Sequence, residues 1–122
     1  VACILVVDDD TAVRDSLHAI LSLRGYDIRQ AKDGWECEKA VRHGVPDLVI
    51  LDIMMPEQEG MATIRSLRRS HPALKILAIS GGGEMHLREA LSFAEALGAH
   101  ASLAKPFLAR DLLAAIDTLI GH

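Results

Sequence analysis

Cys3-Ile4-Leu5-Val6-Val7-Asp8-Asp9 decides the reading of this chain: five apolar residues, mostly β-branched, that end on two carboxylates. The same form recurs downstream. Leu48-Val49-Ile50-Leu51 ends on Asp52, Ile76-Leu77-Ala78-Ile79 on Ser80, and Ala101 to Ala104 on Lys105. Apolar β-type runs that alternate with segments of helical period are the pattern of a parallel α/β sheet. In an open parallel sheet the carboxyl ends of the strands share one edge, so residues distant in sequence converge on one crevice. Three carboxylates, a hydroxyl and an ammonium in such a crevice describe a Mg2+-dependent phosphoryl-acceptor site.

Segments of helical period separate these runs and complete an alternating α/β pattern. Asp10 or Thr11 can cap a first helix with Val13, Leu17, Ile20 and Leu21 on one face, stopped by Gly25. Tyr26 to Ala31 reads as a strand, and Gly34 to Arg42 as a short helix burying Cys37, Ala40 and Val41. Further helices are predicted from Gly60 to Ser70, from Met85 to Leu97 and from Leu108 to Ile120. Their apolar stripes are Met61, Ile64 and Leu67, then Leu87, Ala90, Leu91 and Ala94, then Leu112, Ala115, Ile116 and Leu119. The expectation is therefore five strands and five helices.

The 122 residues suit a single domain, 1–122, with one well-buried core. A formal charge of −4 argues against a nucleic-acid footprint, which normally carries a basic stripe. No apolar run approaches the roughly 18 residues of a membrane span. Neither nucleic acid nor membrane is expected as a direct partner. Cys3 and Cys37 have neither metal-ligand nor framework spacing and read as two buried thiols in a reducing cytoplasm. His18, His43, His71, His86, His100 and His122 show no metal-site pairing and read as surface or boundary residues. Trp35, between charged neighbours, is expected to be half exposed.

The chemistry follows from residue types. Asp8, Asp9 and Asp52 make a hard, oxygen-only donor set of the kind Mg2+ prefers. Without a cation the three charges would repel and raise one another's pKa values. A carboxylate such as Asp52 can attack phosphorus to give an acyl phosphate. Lys105 offers a compact cation to the phosphoryl oxygens and Ser80 a hydroxyl donor. Lys105 precedes Pro106-Phe107, where a cis X-Pro bond would fix the direction of the ammonium.

The runs Ile4-Leu5-Val6-Val7-Asp8-Asp9-Asp10, Leu51-Asp52-Ile53-Met54-Met55-Pro56 with Gly60, Ile79-Ser80-Gly81 and Leu103-Ala104-Lys105-Pro106-Phe107 resemble those of a response-regulator receiver domain. The match spans essentially the whole chain. The resemblance implies a doubly wound five-stranded parallel sheet of flavodoxin-like order 2-1-3-4-5, with five helices on its two faces. It also implies Mg2+ dependence and phosphorylation by a histidine kinase or histidine phosphotransfer protein. By position, Asp52 would be the phosphoacceptor, Asp8 and Asp9 the metal pocket, and Met54 a metal ligand through its backbone carbonyl. Ser80 would be the switch hydroxyl and Lys105 the phosphate counter-ion. The domain would be no enzyme beyond self-catalysed phosphotransfer and autodephosphorylation, and its downstream target is not encoded in these motifs.

Ser102 departs from the family pattern, which commonly has Tyr or Phe three residues before the lysine. A serine cannot bury a ring on activation. Gly81-Gly82-Gly83 makes the following loop free, and ordering of residues 81–84 is expected to serve as the switch instead. Two other functions compete. A small aspartyl-phosphate phosphohydrolase is disfavoured because Asp52-Ile53-Met54 lacks a second acid two residues on. A non-phosphorylated interaction module of receiver shape is disfavoured because all four chemical positions are filled.

Overall fold

The structure is a computed structural model that describes residues 1–54, 59–81 and 87–121. Its elements alternate strictly: β1 (Cys3–Val7), α1 (Thr11–Ser22), β2 (Asp27–Ala31), α2 (Gly34–His43), β3 (Leu48–Asp52), α3 (Glu59–Ser70), β4 (Lys75–Ser80), α4 (Leu87–Leu97), β5 (Ala101–Ala104) and α5 (Ala109–Ile120). The strands form one sheet of order β2-β1-β3-β4-β5, parallel at every pairing. This is the order and the helix count expected from the sequence.

The side chains of each central strand alternate between two cores, as a period of two requires. Leu5, Val7, Val49, Leu51, Ile76 and Ala78 pack with Cys37, Val41, Ile64, Leu67 and Ala94 of α2, α3 and α4. Ile4, Val6, Leu48, Ile50, Leu77 and Ile79 pack on the opposite face with Leu17 and Leu21 of α1 and Leu112 and Ile116 of α5. Both faces are covered, which explains why β1, β3 and β4 read as unbroken apolar runs.

Local chemistry sets the helix ends. Asp10 caps α1, its carboxylate accepting the Ala12 N–H at 2.9 Å, and Asp33 caps α2 through the Glu36 N–H at 2.8 Å. Gly25 turns the chain after α1 with φ of 87°, which favours glycine. At the pole away from the strand ends, the Arg68 guanidinium on α3 donates to the carbonyls of Pro72, Leu74 and Gly98. One side chain thereby holds the loops on either side of β4 and α4.

Several expectations need adjustment. β2 starts at Asp27, with Tyr26 a buried lead-in rather than a strand residue. α5 begins at Ala109 because Leu108 keeps an extended backbone. Ala40, Met61, Ala115 and Leu119 are only partly buried, since they flank rather than face the sheet. Met85 and the side chains at 87, 90 and 91 lie outside what is described, so of the expected α4 stripe only Ala94 is seen buried. Cys37 is fully buried, which with Glu38 and Asp33 nearby pushes its thiol up to about 12. Cys3 is only half-buried, because it opens β1 at the sheet margin. Trp35 is 66% exposed, with the Lys39 ammonium 5.1 Å from its ring centre. His18, His43 and His100 are exposed and His71 half-buried, while His86 and His122 lie outside the described residues.

Candidate phosphoacceptor and metal site

Register brings the polar strand ends together. Val7 pairs with Leu51, Asp52 with Ile79, and Ser80 with Ala104, so the carboxyl ends of β1, β3, β4 and β5 lie level along one edge of the sheet. Backbone bonds continue the ladder past the strands. The Asp8 N–H donates to Ala31 O at 3.2 Å, the Ile53 N–H to Ile79 O at 2.9 Å, and the Lys105 N–H to Ser80 O at 2.6 Å.

Asp8 is fully buried, and Asp52 nearly so, whereas Asp9 is exposed. One carboxylate oxygen from each of Asp8, Asp9 and Asp52 lies within 4.8 Å of the other two. Among the described residues this is the one group of three or more acidic, His or Cys side chains with such spacing. Asp8 accepts the Asp10 N–H at 2.9 Å and Asp52 the Met54 N–H at 2.9 Å, so both carboxylates are oriented by the loop that follows their strand.

Lys105 spans the two buried acids, with Nζ 2.9 Å from Asp8 Oδ2 and 3.4 Å from Asp52 Oδ2. Its peptide bond to Pro106 is cis. Burial pushes the Asp52 carboxyl above its ordinary range and Asp8 adds to this, while the Met54 N–H and Lys105 oppose it. Burial alone would depress the Lys105 ammonium. The hydrogen bond to Asp8 and the charge of Asp52 outweigh it, and its pKa is raised. Ser80 is fully buried, and its Oγ has no hydrogen-bond partner among the described residues. Such a group costs free energy unless a ligand eventually engages it.

Two glycines allow the close approach. A Cβ at Gly60 would lie 2.5 Å from Ile53 Cα and 2.6 Å from Asp52 O, so only glycine lets α3 start against the end of β3. A Cβ at Gly81 would meet Lys105 Cβ at 2.8 Å. A cleft of about 630 Å³ opens over the site, bordered by Asp52, Met54, Lys105, Leu17 and Phe107. The Met54 side chain is half exposed, and its backbone N–H donates to Asp52.

Of the residues singled out from sequence, Asp8, Asp9, Asp52 and Lys105 are brought together by these distances, Met54 borders the cleft beside Asp52, and Ser80 ends β4 next to that edge. Met55 and Pro56 of the motif, and Gly82 to Glu84 of the expected switch loop, lie outside the described residues. Ser102, at the position usually aromatic, donates to Glu95 Oε2 of α4 at 2.6 Å. Arg14 of α1, whose Nη1 donates to the Asp8 carbonyl at 2.6 Å, escaped the sequence reading.

The model of the response regulator receiver domain family matches residues 4–117. The response regulator MprA of Mycobacterium sp. (strain KMS) is 41% identical over 117 residues, covering 96% of this chain and 50% of that protein. The protein of the same name from Mycobacterium leprae (strain TN) matches with the same 41% identity and the same coverage of 96% and 50%. The chain thus spans about half the length of these curated relatives. Among solved structures, the receiver domain of NtrX from Brucella abortus superposes with a TM-score of 0.88 at 34% identity, covering 96% of this chain and 97% of that one. A CheY-like receiver domain from Methanospirillum hungatei JF-1 gives a TM-score of 0.87 at 31% identity, covering 97% and 92%.

Proposed function

Because the chain belongs to the response-regulator receiver family of two-component signalling, we propose that it takes a phosphoryl group onto Asp52 from a histidine kinase or histidine phosphotransfer protein. The whole span 1–122 acts as one receiver domain in this reading. The observation that carries it is the pairing of a buried, raised-pKa carboxylate at Asp52 with Lys105 at 3.4 Å and an unpartnered Ser80 hydroxyl.

A carboxylate oxygen of Asp52 attacks phosphorus while the P–N bond to the donor imidazole breaks. The imidazole nitrogen keeps the bonding pair and takes up a proton, leaving an aspartyl phosphate. Lys105, already bridging to Asp52, then engages the phosphoryl oxygens that carry the charge, and the Ser80 hydroxyl gains the acceptor it lacks. This is self-catalysed transfer on a switch protein, not turnover of a substrate.

The donor set fits Mg2+: three carboxylates within 4.8 Å, oxygen-only and partly open to solvent through Asp9. Asp8, Asp9 and Asp52 would hold the ion, with the Met54 carbonyl as a further oxygen ligand. When bound, it neutralises the carboxylates and the charge that develops on the transferred group. Cys3 and Cys37 are both free thiols, which supports a cytoplasmic setting. Among the described residues no helix is long and apolar enough to cross a membrane.

Incubation with acetyl phosphate and Mg2+, followed by intact-mass analysis, tests the assignment. The wild type should gain one phosphate and Asp52→Asn none. Equal modification of the variant, or none of the wild type at any Mg2+ concentration, rejects it.

A further inference from the structure

We propose that Arg14 is a positioning residue for the divalent-cation site, holding the Asp8-Asp9 loop in its ligating conformation. This rests on the reading of Asp8, Asp9 and Asp52 as that site.

The loop after β1 leaves the sheet at Asp8, whose N–H still bonds to β2. The Asp8 carbonyl instead accepts from Arg14 Nη1 at 2.6 Å, a short charge-assisted bond. The other guanidinium nitrogens are also engaged. Nε donates to Gln30 Oε1 at 3.1 Å and Nη2 to Thr11 Oγ1 at 3.1 Å. The Gln30 amide is itself oriented, its Nε2 lying 3.1 Å from His18 Nδ1. Three elements, β1, α1 and β2, therefore meet on one planar cation, and a guanidinium with all three nitrogens held cannot swing away.

Charge placement argues for a role beyond packing. Arg14 sits within the first turn or so of α1, where a positive side chain opposes the macrodipole. An exposed cation there would favour solvent, yet this one turns back over the helix start to grip the backbone of a ligand residue. Fixing Asp8 at its carbonyl restricts the peptide that leads to Asp9, the exposed and least supported carboxylate of the three. Groups that orient metal ligands in this way typically change affinity by 10–100-fold when removed. A lysine cannot replace it, because an ammonium lacks the planar fork that reaches three separated acceptors.

Mg2+ titration by calorimetry, on wild type, Arg14→Met and Arg14→Lys, decides the matter alongside thermal melts without metal. Arg14→Met should weaken Mg2+ affinity about 10-fold or more, and Arg14→Lys should fail to restore it. The rate of acetyl-phosphate labelling should return to the wild-type value at saturating Mg2+, since Arg14 touches no reacting atom. A purely structural tie predicts a lower melting point with unchanged affinity, and that outcome overturns the proposal. Should Arg14→Met not fold, Gln30→Ala, at an exposed strand position, carries the same test, with a several-fold loss expected and unchanged affinity overturning it. Absence of Mg2+ binding in the wild type would reject the site itself, whereas wild-type binding with unaltered variants rejects only the role of Arg14.

Discussion

The Lys105 ammonium lies closer to Asp8, at 2.9 Å, than to Asp52, at 3.4 Å. The cation is held first by Asp8, while also bridging to Asp52, the proposed phosphoacceptor. Asp8 is completely buried and Asp52 nearly so. Lys105 is thus an internal counter-ion of the two buried acids.

Removing that counter-ion has a predictable direction. Truncating one partner of a buried pair costs about 3–5 kcal/mol because the other charge is left uncompensated. The Lys105 side chain is 23% exposed, so roughly 2–3 kcal/mol is the better expectation for Lys105→Met. Mg2+ should restore part of it by supplying the missing positive charge. Urea melts with and without Mg2+ check this, and a Lys105→Met deficit that Mg2+ leaves untouched would contradict the counter-ion role.

Asp52→Asn should do the reverse. Burial and Asp8 both disfavour the charged carboxylate, and an asparagine oxygen can still accept the Met54 N–H. Relief of repulsion should outweigh the lost 3.4 Å contact with Lys105, giving a metal-free variant more stable by about 1 kcal/mol. Wild type should instead gain from Mg2+, by about 2.7 kcal/mol at a hundredfold excess over Kd. Melts of both proteins across a Mg2+ series provide the measurement. A variant less stable than wild type without metal, or one with an undiminished Mg2+ response, contradicts this account.

The residues of this cluster are legible in the sequence. The strand ends Asp8, Asp52 and Ser80 declare themselves because a strand buried on both faces tolerates no polar residue until it ends, whereas Lys105 follows the half-buried edge strand β5, which carries Ser102, and is marked by the Lys-Pro-Phe motif instead. Order within the sheet was carried by the resemblance, since apolar periodicity does not distinguish β2-β1-β3 from other arrangements. Arg14 was illegible for a different reason. Its partners are a backbone carbonyl and a glutamine sixteen residues away, and no local pattern encodes such a contact. The Ser102–Glu95 bond was equally hidden, because it requires knowing that α4 lies over β5. The fraying of predicted boundaries at Tyr26 and Leu108 is the ordinary ambiguity of apolar residues that pack beside an element without joining it.

Gly60 gives a test of the close approach between α3 and the end of β3 at Asp52. Alanine at a helical position ordinarily gains up to about 1 kcal/mol over glycine. Here its Cβ would stand 2.5 Å from Ile53 Cα, against backbone that cannot rotate away. Overpacking of this kind costs about 1–3 kcal/mol, so steric cost should win and Gly60→Ala should lose about 1–2 kcal/mol. Because the displaced backbone carries Asp52, Mg2+ affinity should fall with it. A stabilised Gly60→Ala with full Mg2+ affinity would mean that the contact is slack.

Ser80→Ala separates the resting state from the activated one. Its Oγ is buried without a hydrogen-bond partner among the described residues, so the hydroxyl contributes a desolvation cost and no bond. Alanine should therefore leave resting stability unchanged or raise it by up to about 1 kcal/mol. The activated state should behave oppositely. A hydroxyl bonded to a charged phosphoryl oxygen contributes about 1.5–3 kcal/mol, which corresponds to about tenfold or more in affinity. Beryllofluoride, which mimics the aspartyl phosphate, should consequently bind Ser80→Ala at least about tenfold more weakly in the presence of Mg2+. A marked loss of resting stability with unaltered beryllofluoride affinity would assign the hydroxyl to the core instead of the switch.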